Sequence, residues 1–551
     1  MRRLTIAFLV LAAANGCSSG DSSSAAAYDR GSGGSASNGA ISTGSTSATT
    51  TGGYVTSGGG GTYGSTGAGG SLGGPAAGGG GGSPPSSAED AGSASPDGGA
   101  QPDGSTDGEL GDADRCAVLD KTKPLTLYQS ADDSNSMASP AIARRLIRLG
   151  QRVPAWIVRT YEFLNYYRFA YEPAPAGRVR VVPQMTPGKV EGEYILQVGI
   201  QSAKAASPRR PMSITLVLDT SGSMQGEPIR IEIASVKALA AAMQEGDRVS
   251  MVTWNTQNRV LLEGYVVQGP NDPRLLAAAD TLTAGGGTDL SGGLAAGYQL
   301  ANRYYAKELL NRVVLISDGQ ANVGQTDENI IGQASHNQDS EGIYLVGVSV
   351  GDGINDTLMN VVTDRGRGAY VYLDSPAEAS RMLTGRFDET MEVAARGVRL
   401  ELTVPWYFSM KTFSGEQSST NPNAVDPQHL APDDAMVFHE IFGACAVSAL
   451  DTADSIGVKA TYETPITHEA REDGTTVTIA DLLEGPAAEL RKGKAVVAYA
   501  EALRGAATLD GAAARAKIDA ALAEVQAVNS STDPELVEIA DLLRQYRTQF
   551  P

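Results

Sequence analysis

Five side chains in this sequence have the types and spacing for coordination chemistry. Asp219-Thr220-Ser221-Gly222-Ser223 leaves the end of an apolar run, Ile214 to Leu218, and Asp318-Gly319 leaves the end of another, Val313 to Ile316. Gly285-Gly286-Gly287-Thr288-Asp289 is a glycine-rich loop just ahead of a helical stretch. Asp219, Ser221, Ser223, Thr288 and Asp318 together offer two carboxylates and three hydroxyls, hard oxygen donors with no His or Cys among them. Such a set suits Mg²⁺, with Mn²⁺ or Ca²⁺ as alternatives, and waters complete the shell. Open parallel sheets bind ligands beyond the carboxyl ends of their strands, where all three loops can meet.

Catalytic patterns do not fit the same residues. In Asp219-Thr220-Ser221-Gly222, Ser221 intervenes where an aspartic protease needs Gly directly after the hydroxyl residue. His439-Glu440 and His468-Glu469 lack the second His of a metalloprotease helix. Ser223 has Ser221, not Gly, two residues before it, so it is no nucleophile elbow. The expectation is a protein that is not an enzyme.

The elements that must position these loops alternate in type. Ile214 to Leu218, Val249 to Trp254, Val313 to Ile316, Ile343 to Val350 and Ala369 to Leu373 read as buried strands, and Val260 to Val267 as an antiparallel edge. Between and after them, Ile229 to Met243, Leu275 to Leu282, Leu290 to Leu310, Ile354 to Val362 and Ala377 to Ala395 read as helices. That alternation predicts an α/β fold, a mostly parallel sheet with helices on both faces. Upstream, the spacing predicts helices after Ser139-Pro140 and over Trp156 to Arg168, then strands at Arg178 to Val182 and Tyr194 to Ile200. The aromatics Trp156, Tyr161, Phe163, Tyr166 and Tyr167 recur at helical spacing and read as packing against the neighbouring domain. Downstream come strands at Val398 to Val404, Met436 to Ile441, Ile456 to Thr464 and Thr475 to Ile479, then helices near Ala480 to Leu503, Ala512 to Val525 and Pro534 to Gln549. Strands on both sides predict one β-rich module into which the α/β domain is inserted, with helices closing the chain.

Asp219-x-Ser221-x-Ser223, with Thr288 and Asp318 downstream, resembles the metal-ion-dependent adhesion site of von Willebrand factor type A domains. The resemblance covers about Pro211 to Arg396 and implies a Rossmann-like fold. It also implies that Ser221 and Ser223 ligate the ion directly, that Thr288 binds directly or through water, and that Asp318 acts largely through water. The sixth position is then left for a carboxylate of a partner protein. Ala131 to Met137 with Thr160 to Tyr166, and Arg491 to Tyr499 after the domain, resemble the flanks of bacterial lipoproteins of this type.

Composition divides the 551 residues unevenly: 29 of the 65 Gly lie between Ser18 and Arg115, a stretch too poor in apolar residues to fold. Asp103, Asp107, Asp112 and Asp114 belong to the acidic end of that arm and read as a solvated spacer rather than a calcium loop. Before it, Arg2-Arg3, the apolar run Leu4 to Ala14 and Ala14-Asn15-Gly16-Cys17 have the layout of a secretory signal ending in what resembles a bacterial lipobox, with Ala14 where such signals prefer Leu. Lipidation of Cys17 would anchor the chain to the bacterial cell envelope, at the outer membrane. The net charge of −20 argues against nucleic acid as a partner. Three Cys exclude a disulfide scaffold or a cysteine-ligated zinc, but an oxidising compartment allows Cys116 and Cys445 to pair.

The expected organisation is a signal peptide over 1–17, a disordered linker over 18–115, an N-terminal flanking region over 116–210, the α/β domain over 211–396 and a C-terminal β-rich and helical region over 397–551. The expected function is metal-dependent binding of a protein that presents an acidic residue. The alternative is a structural or accessory subunit of an envelope or transport assembly whose metal site is silent.

Overall fold

The computed structural model describes residues 116–132, 135–320, 342–528 and 532–551. The signal, the lipobox Cys17 and the glycine-rich arm lie outside the described residues. Among those described, no helix is long and apolar enough to cross a membrane.

The chain opens with strand β1 (Leu125–Ser130), helices α1 (Ala138–Arg148) and α2 (Thr160–Tyr166), and strands β2 (Arg180–Pro187) and β3 (Glu193–Gln201). The stretch expected as one helix from Trp156 to Arg168 is instead a short 3-10 turn, Ala155–Ile157, followed by α2. Arg159 is extended between them, and its guanidinium reaches Asp356 at 2.7 Å and pairs with Glu162, so ion pairing overrides helical continuity. Phe163, Tyr166 and Tyr167 are buried as expected of packing residues, whereas Trp156 stays 61% exposed.

The α/β domain follows: β4 (Met212–Asp219), α3 (Glu227–Ala242), β5 (Arg248–Trp254), β6 (Asn258–Val266), α4 (Pro273–Ala279), α5 (Leu290–Arg303), β7 (Leu310–Ser317), β8 (Ile343–Val350), α6 (Asp356–Gly366) and β9 (Tyr370–Leu373). Its sheet has the order β6-β5-β4-β7-β8-β9, parallel except for β6, which runs antiparallel at the edge. Strands β4, β7, β8 and β9 are buried along their whole length, which requires apolar side chains on both faces and helices to cover them. Helix α5 stops at Arg303, short of Leu310, where the Asn311 side chain holds the turn through the carbonyls of Ala306 and Leu309. The helix expected over Ala377 to Ala395 is broken into α7 (Pro376–Ser380), a π turn at Arg381–Gly385 and α8 (Phe387–Met391). Gly385 is a weak helix former, and Arg386 next to it donates to the Tyr166 carbonyl.

The remaining strands are β10 (Ala395–Val404), β11 (Phe408–Phe413), β12 (Gln417–Ser419), β13 (Gln428–Leu430), β14 (Ala435–Ala444), β15 (Ser455–Glu463) and β16 (Ala470–Thr478). They complete two sheets, β12-β1-β10-β15-β16, with β13 also on β10, and β11-β14-β3-β2. Each sheet mixes strands from both sides of the α/β domain: β1 pairs with β10, and β3 with β14 from Tyr194↔Phe442 to Ile200↔Met436. The β-rich module with an inserted α/β domain is therefore the observed architecture. Its core joins inward residues of both sheets, Leu196, Val198, Leu400, Leu402, Phe438 and Val458 among them. Cys116 and Cys445 are joined as a disulfide across this module.

Helices α9 (Ile479–Glu484), α10 (Ala488–Ala506), α11 (Gly511–Ala527) and α12 (Pro534–Arg547) end the chain. Pro486, lacking an amide hydrogen, separates α9 from α10 where one helix was expected. Tyr499, Leu503, Tyr546 and Phe550 share the apolar core of the α/β domain, as do Ile142 of α1 and Phe163 of α2. A buried ionic cluster ties these flanks together. Arg144 on α1 pairs with Asp374 at 2.7 Å and Glu378 at 3.0 Å, and the Tyr166 hydroxyl donates to Glu378 at 2.8 Å. Removing one partner of a buried pair leaves the other charge uncompensated, at a cost of about 3–5 kcal/mol. Arg144→Ala is therefore expected to lower unfolding free energy by about that much in denaturant titration. Glu472→Ala, on the polar outer face of β16, should change it by less than about 0.5 kcal/mol.

Candidate functional site

Strand β4 is flanked by β5 on one side and β7 on the other, so the chain turns in opposite directions from it. A crevice opens at the carboxyl ends of β4 and β7, where an α/β sheet binds its ligands. Asp219 ends β4, and Ser317 ends β7 one residue before Asp318. The two strands are in parallel register up to Leu218↔Ile316, which sets those residues side by side.

Polar contacts knit the predicted residues together. Ser317 Oγ donates to Asp219 Oδ2 at 2.6 Å, and the Ser221 amide donates to Asp219 Oδ1 at 2.9 Å. The Ser221 and Ser223 hydroxyls are 3.0 Å apart, and Ser223 is near enough to Asp318 to oppose the rise of its carboxyl. Asp318 Oδ1 accepts the Gln320 amide at 3.1 Å. Asp219 and Ser221 are fully buried, and Asp318 is 3% exposed. Thus hydrogen bonds link Ser317, Asp219, Ser221 and Ser223, and Asp318 lies near Ser223, which is open to solvent.

Thr288 arrives on the glycine loop. The Gly285 amide donates to the Thr220 carbonyl at 2.8 Å, and the Gly222 amide to the Gly286 carbonyl at 3.0 Å, so the two loops are stitched backbone to backbone. Gly286 has φ +93°, a conformation that glycine adopts without strain. Helix α5 then leaves the loop against β4 and β5. A Cβ on Gly297 would stand 2.3 Å from Val217, and one on Gly293 would stand 2.5 Å from Trp254. These two glycines let α5 approach the sheet closely enough to bring buried Thr288 to the crevice.

The electrostatics are those of uncompensated negative charge. Burial pushes the Asp219 carboxyl up to about 7, against the hydrogen bonds of Ser317 and Ser221, and the Asp318 charge adds to the rise. Burial raises Asp318 as well, with the Ser223 bond opposing it. Among the described residues, no Lys or Arg is a leading influence on either carboxyl. A third acid, Glu232 on α3, is fully buried, near enough to Asp219 for their charges to interact, and both its carboxyl oxygens are buried without a hydrogen-bond partner among the described residues. Burial holds Glu232 well above its usual range, with the charges of Asp219 and Asp318 adding to it. Glu232 and Ser317 are site residues that motif spacing did not single out. The signal for Glu232 was an acid on the core face of α3, in line with Ser235, Val236 and Leu239, all buried. Two carboxylates and hydroxyls, with no cation paired to them among the described residues, make a donor set that fits a hard divalent ion.

Residues 213–384 match the family model described as the von Willebrand factor type A domain, and the central domain is of that type. The chain is 29% identical over 294 residues to Uncharacterized protein YfbK of Escherichia coli (strain K12), covering 51% of this chain and 50% of that protein. It is 25% identical over 187 residues to inter-alpha-trypsin inhibitor heavy chain H1 of Homo sapiens, covering 32% of this chain and 20% of that protein. The chain thus spans half the length of the first relative and a fifth of the second. Among solved structures it is similar to the von Willebrand factor type A protein from Catenulispora acidiphila. That similarity has a TM-score of 0.42 at 14% identity, over 68% of this chain and 92% of that one.

Two outcomes follow from this geometry. A carboxyl whose pKa is raised on folding binds its proton more tightly in the folded state, so stability falls as pH rises from the unfolded value to the folded one. For Asp219 the window runs from about 4 to about 7, and the loss is up to about 4 kcal/mol. Unfolding titrations in EDTA across that window should show the decline, and Asp219→Asn should remove this part of it. Gly297→Val, which drives a methyl group into Val217, should cost about 1–3 kcal/mol in the same measurement.

Proposed function

We propose that this von Willebrand factor type A domain holds a divalent cation through Asp219, Ser221, Ser223, Thr288 and Asp318 and uses it to bind a partner protein. The observation that supports the reading is the cluster of oxygen donors at the ends of β4 and β7, with Asp219, Ser221 and Asp318 buried, the Ser223 hydroxyl open to solvent, and no Lys or Arg paired with either carboxyl among the described residues. Domains of this family commonly mediate protein interactions, and some bind a metal at such a site. Mg²⁺ is the proposed ion, with Mn²⁺ or Ca²⁺ as substitutes, since all three take oxygen ligands.

The ion supplies a Lewis-acidic point of attachment for a carboxylate. The chain's own residues do the rest. Asp219 brings the charge that attracts the ion, and Ser317 fixes the orientation of that carboxyl. Ser221 and Ser223 offer neutral oxygens and Asp318 acts largely through water, so the ion keeps much of its charge toward its open position although two carboxylates lie nearby. An anionic side chain of the partner, Asp or Glu, is therefore welcome where a neutral one is not. This is a binding role with no chemical step, and the reading assigns the protein no enzymatic activity.

The rest of the chain places that domain. In this reading Cys17 carries lipid, the arm to residue 115 is a tether, and the folded body is held at the bacterial outer membrane.

Asp219→Ala should abolish Mn²⁺ binding in calorimetric titration while leaving the circular dichroism spectrum unchanged; an undiminished titration would refute the site. With the full chain as bait in envelope extract, a partner should be retained in Mg²⁺ and released in EDTA. Retention in both would move the interaction to another surface. Cys17→Ser should shift the protein from the membrane to the soluble fraction, and equal fractionation of both forms would remove the anchor.

A further inference from the structure

A second polar site lies away from the metal crevice, where the amino-terminal ends of β7 and β8 meet the β-rich module. A cavity of about 140 Å³ is lined there by Arg210, Lys307, Arg312, Arg396 and His468, together with Tyr344. This density of positive charge stands out in a chain of net charge −20. Basic side chains elsewhere in the body are largely paired with acids, as Arg144, Arg145, Arg159 and Arg209 are. Arg210, Lys307, Arg312 and Arg396 form no ion pair among the described residues.

Arg312 is built into the wall, Arg210 and Arg396 are half-buried, and Lys307 and His468 stand at the exposed rim. Arg312 begins near the foot of β7 and is 3% exposed. Its Nε donates to the Met391 carbonyl at 2.6 Å and its Nη1 to the Asn311 carbonyl at 2.8 Å, so neutral oxygens hold it. Arg312 and Arg396 both lie against the Tyr344 ring, at 4.9 and 5.4 Å from its centre. Arg210 Nε is buried and has no hydrogen-bond partner. His468 sits 3.5 Å from Arg396 Nη1 and is itself 3.5 Å from Glu463.

Burial pulls the Arg312 guanidinium down to about 10, and Arg210 and Arg396 add to the fall. One acid, Glu392, is near enough to feel Arg210 and Arg312, but burial pushes its carboxyl up, and its Oε2 is also without a partner. Among the described residues, Glu392, which resists ionising, and Glu463, which faces His468 at the rim, do not balance four cations. Guanidinium groups present planar forks that match tetrahedral oxyanions as well as carboxylates, and a doubly charged anion offsets more of the charge. At roughly 30 Å³ per water, the cavity has room for one such anion and a few waters.

We propose that this cavity binds a free, phosphate-sized oxyanion through Arg210, Lys307, Arg312 and Arg396, and that the anion cements the α/β domain to the β-rich module. The joint is explicit in the lining: Arg312 and Tyr344 come from the α/β sheet, Arg396 from β10, and Pro465, Ile466 and His468 from the turn between β15 and β16.

The test is thermal unfolding and calorimetric titration of the full chain with inorganic phosphate, against sodium chloride at equal ionic strength. Phosphate should raise the melting temperature in a saturable manner, as a ligand of the folded state must. The double variant Arg210→Gln/Arg396→Gln changes two half-buried positions and should bind phosphate at least about tenfold more weakly, a loss of about 1.4 kcal/mol. Lys307→Gln, at the exposed lip, keeps a folded reference whatever the double variant does and should weaken binding about threefold. Stabilisation by phosphate no greater than by chloride overturns the proposal. Unchanged phosphate affinity in Lys307→Gln, and in the double variant if it folds, overturns it too.

Discussion

The arrangement of the central domain depends on one buried carboxyl. Asp219 sits at the end of a strand with no exposed surface, and it is oriented from two sides by Ser317 and Ser221. Burying such a group without a cation is unfavourable, and the rise of its pKa to about 7 expresses that penalty. Everything around it serves to keep the penalty in place. The β4–β7 register brings Ser317 alongside, the stitched loops shut the crevice from the glycine side, and Gly293 and Gly297 let α5 close down on the sheet. A site strained in this way is preorganised for a positive ion, because binding relieves a cost that folding has already met.

The flanking regions are continuous with that site in structural terms. The α/β domain enters and leaves through a sandwich whose sheets each combine strands from before and after it. The helices on either side share its apolar core, and Arg144, Tyr166, Asp374 and Glu378 fasten them at a buried ionic cluster. The opposite end of the domain meets the sandwich at the basic cavity. The central domain is thus held at two places chemically unlike each other, one an internally neutralised cluster and one a concentration of positive charge.

Much of this was legible in the sequence because the α/β strands are nearly continuous apolar runs, so their number and order could be read from Ile214 to Leu373. The site was legible for a related reason: Asp219, Ser221, Ser223 and Asp318 follow such runs directly, and the end of a parallel strand is where ligands bind. What escaped reading was set by tertiary contacts. Strand β1, Leu125–Ser130, is six residues of mixed polarity that become a strand by pairing with β10. The break before α2 follows from Arg159 reaching Asp356, a partner nearly two hundred residues away. Arg312 looks like an ordinary surface charge in sequence, and only the fold reveals that it is buried.

The central claim, that these oxygens form a metal site, is tested most directly by diffraction from crystals grown or soaked with Mn²⁺, recorded where manganese scatters anomalously. The account predicts a strong anomalous peak within bonding distance of Asp219, Ser221 and Ser223, with Thr288 and Asp318 around it. An empty crevice in crystals that carry manganese elsewhere would contradict it. The burial of Asp219 would then be a structural feature of the strand end alone.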